Sequence, residues 1–235
     1  MTRHRSLPLV ALLAASALAF TSCAAADTAT PTTDATPGAT AGATLPDAAD
    51  GITVGDGPVE IELWTDLSCP YCAVLEETTG ADLEEWVADG SVTVTLHPMN
   101  YVSTKRGDTT DYSTRAANLL ALTADAGELD AVLPLYALLQ ANQVDANGAP
   151  SDADLLGYAA EAGVAADLSA GVEGMTLADW VQESNDHWIG EVVGSDTPVD
   201  HVPLLVVDGE TFELRGDGSD AARLRDAVAA ASATD

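Results

Sequence analysis

Hydrophobic and polar positions alternate along Val59-Glu60-Ile61-Glu62-Leu63-Trp64, the pattern of a strand with one buried face. From Tyr71 to Gly80 nothing breaks a helix. Ala81 to Ala88 continues or restarts it, with Leu83, Trp86 and Val87 on one side, and Asp89-Gly90 ends it. Ser91-Val92-Thr93-Val94-Thr95-Leu96 alternates again and stops at His97-Pro98. Strand, helix, strand in this order predicts a βαβ unit whose two strands are parallel neighbours. Ile52 to Val54 reads as a short strand ahead of it, set off by the turn Gly55-Asp56-Gly57-Pro58.

Strand periodicity then gives way to helical segments for about a hundred residues. Helices are predicted over Tyr112 to Ala126, Leu129 to Asn142, the segment that Ser151 caps and Gly163 ends, and Gly174 to Ile189. Pro134 marks the true start of the second helix or a kink in it. Ser151 with Asp154 forms an approximate capping box. Strand chemistry resumes at Val202-Pro203-Leu204-Leu205-Val206-Val207, turns at Asp208-Gly209 and returns along Thr211 to Leu214. A last helix runs from Asp220 to about Ala230. The order βαβ, helical insertion (about 108–192), ββα defines an α/β fold over residues 51–233.

The residues before it read differently. Arg3, His4 and Arg5 precede an apolar run from Leu7 to Phe20 that is too short to span a bilayer well, as in an export signal. Phe20-Thr21-Ser22-Cys23 resembles a bacterial lipobox, although Phe20 stands where Leu is usual. The expectation is a lipoprotein signal peptide over 1–22, with Cys23 lipidated and anchored to the outer face of the cell membrane. An ordinary signal peptide cleaved near Ala24-Ala25-Ala26, giving a secreted protein, is the alternative. Residues 23–50 are Ala, Thr, Pro, Gly and Asp with few large apolar side chains, and are expected to form a flexible tether.

Acidic residues outnumber basic ones 38 to 8, for a formal net charge of −30. That excludes a nucleic-acid partner and adsorption to anionic lipid heads, since both need clustered Lys and Arg. An acidic solvated surface is the simplest account, and a preference for basic substrates is the alternative. Thr104-Lys105-Arg106-Gly107 carries the basic dipeptide of the mature chain and reads as a solvated loop rather than a partner site.

Once Cys23 is set aside, Cys69 and Cys72 remain, so there is no disulfide framework to hold the fold. They stand in Cys69-Pro70-Tyr71-Cys72 at the strand-to-helix junction, a redox signature. Pro70 suits a first helical position, where its missing N–H costs nothing. Cys69 at a helix N-terminus would have its pKa lowered from about 8.5 into the range of roughly 3.5–7.5. Zinc would need two further ligands, and no second C-x-x-C or H-x-x-H is present, so no metal is expected. A Cys-His nucleophile pair of Cys69 with His187 or His201 is disfavoured, because a second thiol already supplies the chemistry. His97 reads as structural, His201 as a residue beside the site, the tryptophans as packing, and Tyr71 as exposed at the rim.

The element order and the segment Trp64-Thr65-Asp66-Leu67-Ser68-Cys69-Pro70-Tyr71-Cys72 resemble the DsbA-like thiol-disulfide oxidoreductases, exported enzymes with a thioredoxin fold and an inserted helical subdomain. The resemblance covers about residues 57–233. It implies that Cys69 is the exposed nucleophile and Cys72 the buried resolving thiol. It makes Pro203 the cis-proline facing the pair, in preference to Pro198 of Thr197-Pro198. Pro70, Tyr71, Val202 and Pro203 would then tune the pair and bind substrate. It further implies a dithiol oxidase of exported proteins with free thiols, reoxidised by a membrane redox partner and needing no cofactor. A reductase, for example in cytochrome maturation, and a non-catalytic peptide-binding lipoprotein of the same fold are the alternatives. Leu63 stands where many members carry a buried acid, which leaves proton transfer at Cys72 without that carboxylate. Tyr71 in place of a histidine implies a weaker oxidant than the strongest members.

Overall fold

The structure, a computed structural model, describes residues 45–233. The alternation at 59–64 becomes β2 (Val59–Asp66), flanked on one side by β3 (Val92–Met99) in parallel register, from Val59 opposite Val92 to Asp66 opposite Met99. On its other side lies β6 (Leu204–Val207), antiparallel, with Leu63 opposite Leu205. β1 (Ile52–Val54) extends the sheet beside β3, and β7 (Glu210–Phe212) extends it beside β6, giving the order β1-β3-β2-β6-β7. β2 is therefore the central strand. Both of its faces are buried where it ends, at Trp64, Thr65 and Asp66.

α1 (Pro70–Ala88) is one continuous helix that packs on β3, on α4 (Val132–Ala141) and on α8 (Asp220–Ser232). The remaining helices are α2 (Tyr101–Arg106), α3 (Tyr112–Asp125), α5 (Asp152–Glu161), α6 (Ser169–Gly174) and α7 (Ala178–Trp188). Pro134 sits in the first turn of α4, where no intrahelical donor is lost, after a short 3-10 turn at Leu129–Ala131. Ser151 and Asp154 form the complete capping box of α5. A small separate hairpin pairs β4 (Val192–Val193) with β5 (Thr197–Pro198).

The structure departs from the sequence expectation in four places. β3 runs through His97-Pro98 instead of stopping there. β1 pairs with it only as far as Leu96, so at Pro98 no donor is needed on that side. The helix expected from Gly174 to Ile189 begins only at Ala178, as α7; Gly174 closes the separate α6, and Met175 between them takes a left-handed conformation (φ 48°). The segment holding Lys105 and Arg106, expected to be a loop, closes a short helix, α2. The folded body also begins before Gly51. The Leu45 N–H donates to Asp125 Oδ1 (3.0 Å), the Pro46 carbonyl accepts from Trp180 Nε1 (2.8 Å), and Ala48 is buried. Residues 1–22, Cys23 and most of the expected tether lie outside the described residues. Among the described residues no helix is long and apolar enough to cross a membrane.

Candidate functional site

The buried end of β2 hands the chain to α1 through a turn in which the Cys69 N–H donates to the Asp66 carbonyl (3.0 Å). Cys69 is the N-cap of α1, with extended backbone, and Pro70 opens the helix. The carboxylate of Asp66, fully buried, ties this turn together. It accepts from the N–H of Ser68 (2.8 Å), the N–H of Val102 in α2 (2.8 Å) and the hydroxyl of Ser113 in α3 (2.5 Å). Burial outweighs these donors and pushes its pKa up to about 6. Two side chains hold the carbonyls on either side of the Cys69 peptide group: Arg106 Nη1 donates to Ser68 O (2.7 Å) and Gln143 Nε2 to Cys69 O (2.9 Å).

The two thiols are unlike. Cys69, expected to be exposed, is instead only 4% exposed, at the floor of a groove that gives access to it; Cys72, one turn into α1, is fully buried. A hydrogen bond from the Cys72 thiol, helped by the N–H groups of Cys72 and Tyr71, draws the Cys69 pKa down to about 7 against the opposing effect of burial. Burial drives the Cys72 pKa the other way, well above the ordinary thiol value. Beneath Cys72 lies a buried polar network. Its thiol bonds to Thr65, whose hydroxyl meets Tyr136 Oη (2.7 Å). Gln140 donates to both hydroxyls and passes the chain of bonds through Gln143 back to the Cys69 carbonyl. Both Tyr136 and Gln140 come from α4, so the helical insertion is built into the site from below.

Facing the pair, Val202-Pro203 is the cis peptide bond among the described residues, and Cys69 Sγ lies 3.5 Å from Val202 O. Thr197-Pro198 sits in the separate hairpin. Pro70, Tyr71, Val202 and Pro203 thus stand together around Cys69 and line a groove of about 1160 Å³. Tyr71 is 75% exposed and Val74 53%, so two large apolar side chains stand open at its edge. His201 also lines the groove, its Nδ1 2.6 Å from Asp200 Oδ1. His97 is away from it, buried between Trp64 and Trp188 with Nε2 on Glu62.

Sequence reasoning missed several of these residues. Leu63 points into the main core, as an apolar residue there should. A half-buried carboxyl does stand on the same helix, one turn beyond Cys72: Glu76, whose pKa burial pushes up to about 7. Its side chain lies over Gly80, where a Cβ would collide with the carboxylate. A glycine inside a helix four residues after a glutamate was the available signal. Tyr101, from α2, lines the groove and hydrogen-bonds the backbone of Val202; burial raises its pKa to about 12.

Comparison with known proteins agrees with this geometry. No curated protein matches the chain. Among solved structures, DsbA of Mycobacterium tuberculosis is similar at 19% identity and a TM-score of 0.57, covering 79% of this chain and 99% of that one. MdbA of Corynebacterium diphtheriae, a thiol-disulfide oxidoreductase, is similar at 21% identity and a TM-score of 0.59, covering 79% and 92%. BdbD of Bacillus subtilis is similar at 16% and 0.57, covering 81% and 97%. The family model described as Thioredoxin matches residues 49–227, nearly all of the described body and both halves of the Cys69–Pro203 site: the chain belongs to the thioredoxin family, with the DsbA-like fold.

Proposed function

We propose that the protein is an extracytoplasmic thiol-disulfide oxidoreductase that oxidises cysteine pairs of exported proteins through a Cys69–Cys72 disulfide. The observation that carries this reading is the asymmetry of the pair. Cys69 has a pKa near 7 beside Val202-Pro203, and Cys72 is buried with its pKa raised. A client thiolate attacks Cys69 Sγ, forming a client–Cys69 bond and breaking the Cys69–Cys72 bond; Cys72 leaves and takes up a proton. A second client thiolate attacks the client sulfur of this mixed disulfide, and Cys69 departs as a thiolate. Two electrons pass from client to protein, and a membrane partner takes them up. The asymmetry makes Cys69 the sulfur through which exchange runs, and the reduction potential of the pair sets the direction. Cys69 is a good leaving group, while Cys72 stays protonated near neutral pH and attacks the mixed disulfide slowly.

Membrane attachment through Cys23 is part of the proposal, supported by the basic start, the apolar run and Phe20-Thr21-Ser22-Cys23. The deciding measurement is the reduction potential of the pair, with a Cys72→Ala variant to trap clients as mixed disulfides. A potential well above that of thioredoxin, about −270 mV, is expected. A value at or below it overturns the oxidase reading, as does oxidation of reduced clients that is unchanged in Cys69→Ala.

A further inference from the structure

Cations are scarce in this protein, and their placement is uneven. Among the described residues, Arg115 pairs with Asp152, Arg215 with Glu213, Arg223 with Asp220 and Glu213, and Arg225 with Asp82. Lys105 and Arg106 make no such pair, in a chain where acidic residues outnumber basic ones 38 to 8. Both are exposed, both lie at the end of α2, and both line the groove at Cys69. Arg106 is held by the Ser68 carbonyl, and the Lys105 ammonium sits 5.8 Å over the ring of Tyr101, another groove residue. Arg215 lines the far wall. The one acid among the lining residues, Asp220, is already committed: its oxygens accept from the N–H groups of Arg215 and Gly216 and from Arg223 Nη1.

We infer that the groove beside Cys69 is an anion-accepting subsite for an extended client segment carrying Asp or Glu close to its reactive cysteine. The inference rests on the thiol-disulfide reading of the same site and names its clients by class. The occupant is a polypeptide because the groove, at about 1160 Å³, is far larger than a small thiol, and Tyr71, Val74, Leu75 and Leu214 offer apolar contacts along it. The net charge of −30 would by itself favour basic clients. That field is spread over the whole surface and is screened beyond roughly 8 Å at physiological salt, whereas Lys105 and Arg106 act at contact distance. Local charge therefore decides the flanking preference. The basic dipeptide belongs to the site and is not a solvated loop apart from it.

The test separates this subsite from the redox reading. Peptides of one apolar frame carry serine in place of the reactive cysteine and Asp, Asn or Lys in turn at each neighbouring position, and their binding is read by fluorescence anisotropy. The best Asp peptide is expected to bind about 3- to 10-fold tighter than its Asn counterpart at low salt, with the Lys peptide weakest and the difference collapsing at high salt. Lys105→Gln should shrink the preference, and the charge-matched Arg225→Gln, outside the groove, should not. Equal binding, tighter Lys peptides, or a preference unmoved by Lys105→Gln overturns the inference. The same peptides with cysteine pairs report oxidation. If none is oxidised while the Asp preference persists, the oxidase reading falls and the subsite stands.

Discussion

The Sγ of Cys69 lies 3.5 Å from the carbonyl oxygen of Val202, close enough for the thiol to donate to it. The two residues are 133 positions apart in sequence and meet because β2 and β6 are neighbours in the sheet. The contact suits a thiol and not a thiolate, which must instead be held by the Cys72 thiol and the first N–H groups of α1. Titration of Cys69 therefore exchanges one set of partners for the other. Alkylation of the reduced protein should modify Cys69 with a rate that rises through a midpoint at about pH 7 and then levels off. Cys72 should stay protected until well above its ordinary value. Mass spectrometry of the alkylated peptides gives both profiles, and equal reactivity of the two cysteines at pH 7 contradicts the assignment.

Asp66 joins three elements through one carboxylate: the turn before Cys69, α2 and α3. Asp66→Ala removes the acceptor and leaves the N–H groups of Ser68 and Val102 buried without a partner. A loss of about 2–4 kcal/mol in denaturant unfolding is expected. Asp66→Asn keeps one acceptor oxygen and should cost less. Its effect on Cys69 is of the opposite kind. The carboxylate holds the Cys69 pKa up slightly, so the Asn variant should show a lower alkylation midpoint than the parent.

The parts of the fold legible in the sequence were those with a repeating local pattern. Alternation announced β2, most of β3 and β6. Ser151 and Asp154 announced the start of α5, and the spacing of Cys69 and Cys72 announced the junction that the structure builds. Val202-Pro203 was legible because an apolar strand follows it directly. Long-range features had no such pattern. α2 is only six residues long and shows no period, so Lys105 and Arg106 looked like loop residues. The contact of Gln140 and Tyr136 with Thr65 spans more than seventy positions, and nothing local encodes it. Pro98 argued against a strand until the register showed that β1 ends before it.

The network under Cys72 makes a prediction about α4. Tyr136→Phe deletes one hydroxyl and takes a partner from both Thr65 and Gln140, which are buried. Global stability should fall by about 1–3 kcal/mol. Because Gln140 also anchors Gln143 on the Cys69 carbonyl, the Cys69 alkylation profile should shift as well. A variant that loses stability but leaves that profile untouched would show that the network supports the core without reaching the thiol pair.

Glu76 gives the fold a pH dependence whose sign is opposite to that of an ion-paired carboxylate. Its folded pKa is raised from 4.5 to about 7, chiefly by burial and then by Glu84. Below pH 4.5 the group is neutral in both states and costs nothing. As pH rises from 4.5 towards 7, the unfolded chain ionises first and stability falls. Above 7 the full penalty applies, about 3 kcal/mol. Asp66, raised to about 6, acts in the same direction at lower pH, so the informative quantity is the difference between parent and variant. Glu76→Gln should be more stable than the parent at pH 8, with the advantage vanishing at pH 4. Gly80→Ala tests the same carboxyl from the other side. The new methyl would displace the flexible Glu76 side chain towards water, and alanine favours the helix by roughly 1 kcal/mol. Both variants should flatten the stability profile between pH 5 and 7 in urea unfolding, and a parent-like slope in both would remove Glu76 as its source.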